Sequence, residues 1–188
     1  MIPALFEPQS ETCFGITLSG ALVLDGNPDS WASFSVDRDY RYALCRRWNE
    51  EAPWFVAVGL NPSTADASKD DPTVRRLIGF ARREKCGTLL LVNVFARRAT
   101  DPRDLLTAPD PVGPRNDEVI TIAARMPMMA LVVAAWGSAP GFRLRKRVGE
   151  VRIFPRRGRW KCFGRTKSGD PRHPLYLPKT TPIIELEK

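Results

Sequence analysis

Hydrophobic runs of this chain end in polar residues at four places, and the order of these places is the main signal in the sequence. They are VAVGLNPSTAD (56–66), LLLVNVF (89–95), LVVAAWGS (131–138) and GDPRHPLYLP (169–178). Runs of Val, Leu and Ala without polar alternation are typical of strands buried on both faces. Ligands bind beyond the carboxyl ends of such strands in open α/β sheets. We therefore expect five polar residues to converge on one crevice: Asn61, Ser63, Asn93, Ser138 and His173.

Strand and helix patterns alternate along the rest of the chain. Strands are expected over 41–48, 54–60, 88–95, 130–136, 151–154 and 160–163. Asp71 can cap a helix that begins at Pro72 and ends at Gly87, and further helices are expected over 116–125 and 142–148. This alternation predicts an α/β fold with three layers (α/β/α) and a mostly parallel central sheet. Residues 1–40 are expected to form an N-terminal arm that can add an edge strand, and residues 41–188 a single domain.

The charge of the chain is strongly uneven. The formal net charge is +8, and the segment 141–167 carries eleven basic residues and one acid, so the remainder sums to about −2. Such a basic stripe is the usual footprint of nucleic-acid contact, although a solvated face that aids solubility has the same composition. The predicted backbone contacts are Arg143, Arg145, Arg156, Arg157, Arg159 and Lys167.

Several classes of protein are not favoured by the sequence. It has no apolar run of membrane-spanning length and no signal peptide, and its four scattered cysteines fit free thiols in a reducing cytoplasm. The phosphate-loop and dinucleotide fingerprints are missing, so we expect no cofactor. We also expect no metal, although Asp66, Asp70 and Asp71 lie close together and could bind one or act as a base. Helix capping is the simpler role for Asp71.

Three of the polar residues have both a functional and a structural interpretation. Asn61 could hold a water or contact a base edge, and it also suits an ordinary turn. Asn93 interrupts a buried strand, where a carboxamide needs partners, so it either reads a ligand or bonds a neighbouring loop. His173, the single histidine, could donate a hydrogen bond to a developing oxyanion, or it could be a surface residue without a functional role.

The motifs NPSTAD, DDPTVRR, LVNVFARRATDP, AWG and HPLYLP resemble those of a bacterial and phage family, the domain of unknown function numbered sixteen forty-three. This resemblance extends from about residue 41 to 178 and implies no established activity.

At the level of motifs alone, the chain also resembles the uracil-DNA glycosylase superfamily. Gly59–Pro62 is similar to the G-x-N-P motif of that superfamily, and Asn93 is similar to its base-reading asparagine. Residues 135–138 are similar to its WG motif, and His173-Pro174 is similar to its H-P motif. Leu175 departs from that pattern, because it replaces the serine after His-Pro. The resemblance implies a uracil-DNA glycosylase-like fold and excision of a damaged or modified base from DNA. The implied catalytic residues are Asn61 and His173, and the implied base-binding residues are Gly59, Pro62, Ser63, Asn93, Phe95 and Ser138.

Three functions follow as hypotheses. The first is a glycosylase that hydrolyses the N-glycosidic bond with water; the second is a non-catalytic nucleic-acid-binding module on the same fold. The third is a small-molecule enzyme with a metal on Asp66 and Asp71. For the first two we expect DNA rather than RNA as the partner, no membrane association, and a monomer.

Overall fold

The computed structural model describes residues 22–126, 129–151 and 160–186, together with the backbone at 12–13 and 16–17. Two 3₁₀ helices, Pro102–Leu106 and Pro174–Tyr176, lie in the connections. The strands are β1 (Thr12–Cys13), β2 (Ile16–Thr17), β3 (Val23–Asn27), β4 (Ser30–Phe34), β5 (Arg41–Arg47), β6 (Trp54–Gly59), β7 (Thr88–Asn93), β8 (Met129–Ala134), β9 (Lys161–Cys162) and β10 (Ile184–Glu185); the helices are α1 (Pro72–Arg83), α2 (Asn116–Ala123) and α3 (Gly141–Val151).

The central sheet is mixed, which corrects the predicted fold class. Within the described residues its eight strands are ordered β10-β9-β8-β6-β7-β5-β4-β3. Strands β9, β8, β6 and β7 run parallel, but the other four pairings of the sheet are antiparallel. The expected three-layer α/β/α fold with a mostly parallel sheet, uracil-DNA glycosylase-like, is therefore wrong.

Burial does not encode strand direction, and this is the physical reason for the error. Strand β5 is buried along nearly its whole length, as a parallel strand would be, yet it runs antiparallel to β7. The short turn between β3 and β4 forces antiparallel pairing, because a parallel connection needs a dozen or more residues. Asn27 closes that turn by accepting hydrogen bonds from the amides of Asp29 and Ser30.

Alternate residues of the central strands face two separate hydrophobic clusters. Val56 and Leu90 pack with α2 and α3 on one face of the sheet. Phe55 and Leu89 pack with α1 on the other face. The helices thus cover a sheet whose central strands are apolar on both sides.

Helix α1 begins as its sequence predicts. The Asp71 side chain accepts a hydrogen bond from the Val74 amide at 2.8 Å, and Pro72 takes the first helical position. The predicted strand over 151–154 falls partly in α3, which ends at Val151, and otherwise lies outside the described residues. Of the helices in the part of the chain described, none has the length and apolar character needed to cross a bilayer.

Candidate functional site

A cavity of about 540 Å³ opens at the edge of the sheet where β6, β7 and β8 end. Its volume lies within the usual range for small-molecule sites. Asn61, Ser63, Asn93, Ser138 and His173, the five residues that the sequence analysis expected to converge, all line it. The parallel strands bring their carboxyl ends to one edge, and this explains the convergence of residues so far apart in the chain.

Asn93 contributes an unpartnered amide to the cavity. It is the last residue of β7, only 2 % exposed, and its Nδ2 has no hydrogen-bond partner among the described residues. Its main chain is held firmly, because the Asn116 side chain donates to the carbonyls of Asn93 and Val94 at 3.0 and 2.9 Å. A buried donor without a partner is costly and rare in folded proteins. The backbone that carries the carboxamide is therefore held, and its Nδ2 donor is left without a partner among the described residues.

Trp136 supplies a second donor of the same kind. Its indole is 1 % exposed, lines the cavity, and its Nε1 also has no partner among the described residues. The ring packs edge-on against Trp160 with centroids 5.2 Å apart. An indole nitrogen can only donate, so this group, like the amide nitrogen of Asn93, lacks an acceptor among the described residues.

Asn61 presents an acceptor. Its Nδ2 donates to the carbonyls of Ala99 and Pro62, at 2.7 and 3.0 Å. These bonds fix the orientation of the amide, and its Oδ1 makes none of the described side-chain hydrogen bonds. The side chain can therefore accept a hydrogen bond from a water or a ligand donor.

His173 faces the cavity as a neutral imidazole. Its Nδ1 accepts a hydrogen bond from the Leu175 amide at 3.4 Å, which assigns the ring proton to Nε2. Burial lowers the pKa of His173 below its ordinary value of 6.5, with Asp71 opposing the shift. Gly137 makes room for the histidine: it has φ +67°, and a Cβ there would lie 3.2 Å from the His173 Cβ. His173 is thus a donor near neutral pH.

Arg41 also lines the cavity, and it was not among the site residues predicted from the sequence. It begins β5, which is antiparallel to β7, so its start lies at the edge where the parallel strands end. The side chain is 1 % exposed; one terminal nitrogen donates to the Ala65 carbonyl at 2.6 Å, and Nε has no partner among the described residues. Burial lowers the pKa of Arg41 to about 10, with Asp71 opposing. A charged residue opening the apolar stretch YALC was the available signal.

The three neighbouring aspartates have separate roles. Asp71 lines the cavity while it caps α1. Asp66 closes its own turn by accepting from the amides of Ser68 and Lys69, and Asp70 pairs with Arg46 at 2.9 Å. In the described ranges no group of three His, Cys, Asp or Glu residues could hold a metal ion.

The remaining predicted base-binding residues divide into two groups. Gly59 lines the cavity together with Ser63 and the exposed Ser138. Pro62 and Phe95 are buried and are not part of the lining, and Phe95 packs in the hydrophobic cluster beneath α2 and α3.

The predicted backbone-contact residues that the structure describes are not part of the cavity lining. Arg143 points its guanidinium at the carbonyls of Leu106, Ala108 and Pro109, while Arg145 and Lys167 are exposed. Arg156, Arg157 and Arg159 lie outside the described residues. Among the described cations, Arg41 lines the cavity and the basic segment does not.

Comparison with known proteins identifies a family. No curated protein and no solved structure gives a significant match to the chain. One family model, described as "Protein of unknown function (DUF1643)", matches residues 41–175. That range includes every cavity residue discussed above. The chain therefore belongs to the DUF1643 family.

Proposed function

We propose that this protein binds a nucleobase of DNA in the cavity and hydrolyses the bond between that base and its sugar. The observation that carries the proposal is a set of donors on three residues that line a cavity of base-binding size: Asn93 Nδ2 and Trp136 Nε1 are buried without a partner among the described residues, and His173 carries its ring proton on Nε2. A ligand that satisfies these donors must present several acceptor atoms. A pyrimidine with ring carbonyl oxygens does so, and the resemblance of four motifs to those of uracil-DNA glycosylases supports the same chemistry.

The reaction requires that the base, which is the leaving group, be stabilised as it departs. When the C1′–N bond breaks, its electron pair moves into the base and charge collects on a carbonyl oxygen. His173 Nε2–H donates a hydrogen bond to that oxygen, and the imidazole stays neutral and keeps its proton. Water attacks C1′ with one hydrogen directed at Asn61 Oδ1, and the proton it loses is taken up by the departing base.

The base must leave the stack to reach the cavity, and one exposed side chain at the cavity mouth fits that step. Tyr176 lines the cavity yet is 88 % exposed, in the 3₁₀ helix that follows His173. An aromatic ring in this position can occupy the gap left by an extruded base.

The test is base excision by the full-length chain. Labelled single-stranded and duplex oligonucleotides, each with one uracil or one hypermodified pyrimidine, are incubated with protein and cleaved with alkali at abasic sites. We expect scission with wild type, and a loss of about 10²–10³ in rate for His173→Gln. Asn61→Ala should also be slow, and Asn49→Ala, an exposed turn asparagine, is the matched control. Absence of scission across the panel at stoichiometric protein would refute hydrolysis.

One observation favours a second candidate, a nucleic-acid-binding module without hydrolysis. The group placed to orient water is the amide of Asn61, which cannot accept a proton. In this case the oligonucleotides bind but stay intact, and His173→Gln leaves their dissociation constants nearly unchanged. A large binding defect in His173→Gln alone would argue against this candidate.

A further inference from the structure

A second concavity runs along the outer surface of α1 and adjoins the cavity. Its volume is about 630 Å³, and it shares Pro72 and Leu175 with the cavity lining. We call it the α1 groove. No acidic residue of the described chain lines it, and five cations do: Arg75, Arg76, Arg82, Arg83 and Lys179.

Most of this positive charge is not neutralised by carboxylates. Arg83 pairs with Glu84, but the Arg75 guanidinium donates to the Asp70 carbonyl, and the Arg82 guanidinium carbon lies 5.1 Å from the centroid of the Trp48 ring. Arg76 and Lys179 make no ion pair among the described residues. Carbonyl and ring contacts hold guanidinium groups in place without cancelling their charge. The groove therefore favours an anionic partner.

Gly79 leaves open space on the surface of this groove. It lies in the interior of α1 and lines the groove, where glycine costs about 1 kcal/mol relative to alanine. No neighbour explains it, since a Cβ added at Gly79 would meet no atom within 4 Å. A missing side chain at the middle of a cationic groove leaves room for a bulky anionic chain to lie against the helix.

The spacing of the cations suits a repeating polyanion. Arg75 and Arg82 are seven residues apart and lie on one face of α1. At a helical rise of about 1.5 Å per residue, their Cα atoms are separated by roughly 10 Å along the helix axis. That distance corresponds to about three nucleotides of a B-form strand. Arginine forks also match phosphate geometry.

We infer that the α1 groove binds the sugar-phosphate backbone of the nucleic-acid strand whose base enters the cavity. This inference rests on the nucleic-acid partner of the proposed function, and it moves the backbone contact from the basic segment 141–167 to α1.

The first test is the salt dependence of binding. Dissociation constants for a labelled oligonucleotide are measured by fluorescence anisotropy over a series of salt concentrations. For a single strand, Arg75→Gln/Arg82→Gln should reduce the slope of log affinity against log salt by about 1.4. Arg143→Gln/Arg145→Gln removes the same charge from α3 and should leave the slope nearly unchanged. An equal reduction in both double variants would overturn the inference, because it would reflect total charge alone.

The second test uses a pair of glycines. Gly149 is exposed in α3 and, like Gly79, has open space where a Cβ would lie. Gly79→Gln and Gly149→Gln should both raise the melting temperature, but only Gly79→Gln should weaken oligonucleotide binding. Equal affinities in the two variants would overturn the inference, as would displacement of the oligonucleotide by poly-glutamate at the same charge concentration.

The outcomes separate this inference from the proposed hydrolysis. Binding that depends on α1 without excision leaves the groove supported and the hydrolysis refuted. Excision that survives Arg75→Gln/Arg82→Gln with unchanged affinity and salt slope refutes the groove and leaves the hydrolysis supported.

Discussion

Replacing Gly59 with alanine should damage the site while sparing the fold. Gly59 pairs with Asn93 in the parallel register of β6 and β7. A Cβ at position 59 would lie 2.6 Å from Asn93 Oδ1, whereas its next neighbour, a Leu91 methyl carbon, is at an ordinary 3.6 Å. The carboxamide must therefore move by about 0.8 Å to restore normal contact. A displacement near 1 Å can cost about 10²-fold in rate.

Stability should change little in the same variant. A glycine within a strand is less favourable than alanine by about 0.5–1 kcal/mol, and this gain offsets the cost of moving one side chain. We therefore expect a free energy of unfolding within about 1 kcal/mol of wild type.

The assay for Gly59→Ala combines urea unfolding with the rate of base excision, or with oligonucleotide affinity if excision is absent. Gly149→Ala, on the exposed face of α3, serves as the control and should retain full function. Wild-type rate and affinity in a stably folded Gly59→Ala would refute the reasoning, because the position of the Asn93 amide would then not matter.

Three further predictions concern buried groups. Burial lowers the pKa of His173, so the unfolded chain takes up a proton more readily than the folded one. The free energy of unfolding should therefore fall as pH drops below about 6.5. Urea unfolding between pH 7.5 and 5 should show a smaller fall in His173→Gln than in wild type. Asn116→Ala leaves two buried carbonyls without their donor and should lower the free energy of unfolding by about 1–3 kcal/mol, measured by the same method, whereas an unchanged value would contradict the buried bonds. Burial raises the pKa of Cys45 to about 12, so site-resolved mass spectrometry after thiol alkylation at pH 8 should find it unmodified in the native protein and modified in urea.

The sequence was most informative where a local rule decides the structure. The cap of α1 depends on Asp71 and Pro72 alone, and both act as predicted. The central strands were located because uninterrupted apolar runs must be buried. Polar residues mark the strand ends, and this pattern predicted that Asn61, Asn93 and His173 lie at one cavity.

Strand direction and long-range partners were not available from these patterns. Residues of β5 are equally buried beside a parallel or an antiparallel neighbour, so Arg41 could not be placed at the cavity. Asn116 lies 23 residues from Asn93, and nothing local to α2 shows which carbonyls it binds. The segment 141–167 has the denser run of basic residues, and the groove lined by the arginines of α1 is visible only in the folded structure.

The backbone and the side chain of Asn93 have separate roles, and this separation has a consequence for the proposed ligand site. Its backbone is secured by Asn116, while its own carboxamide nitrogen has no structural duty among the described residues. Under the proposed function, ligand selectivity can therefore change at this side chain while Asn116 continues to hold the backbone.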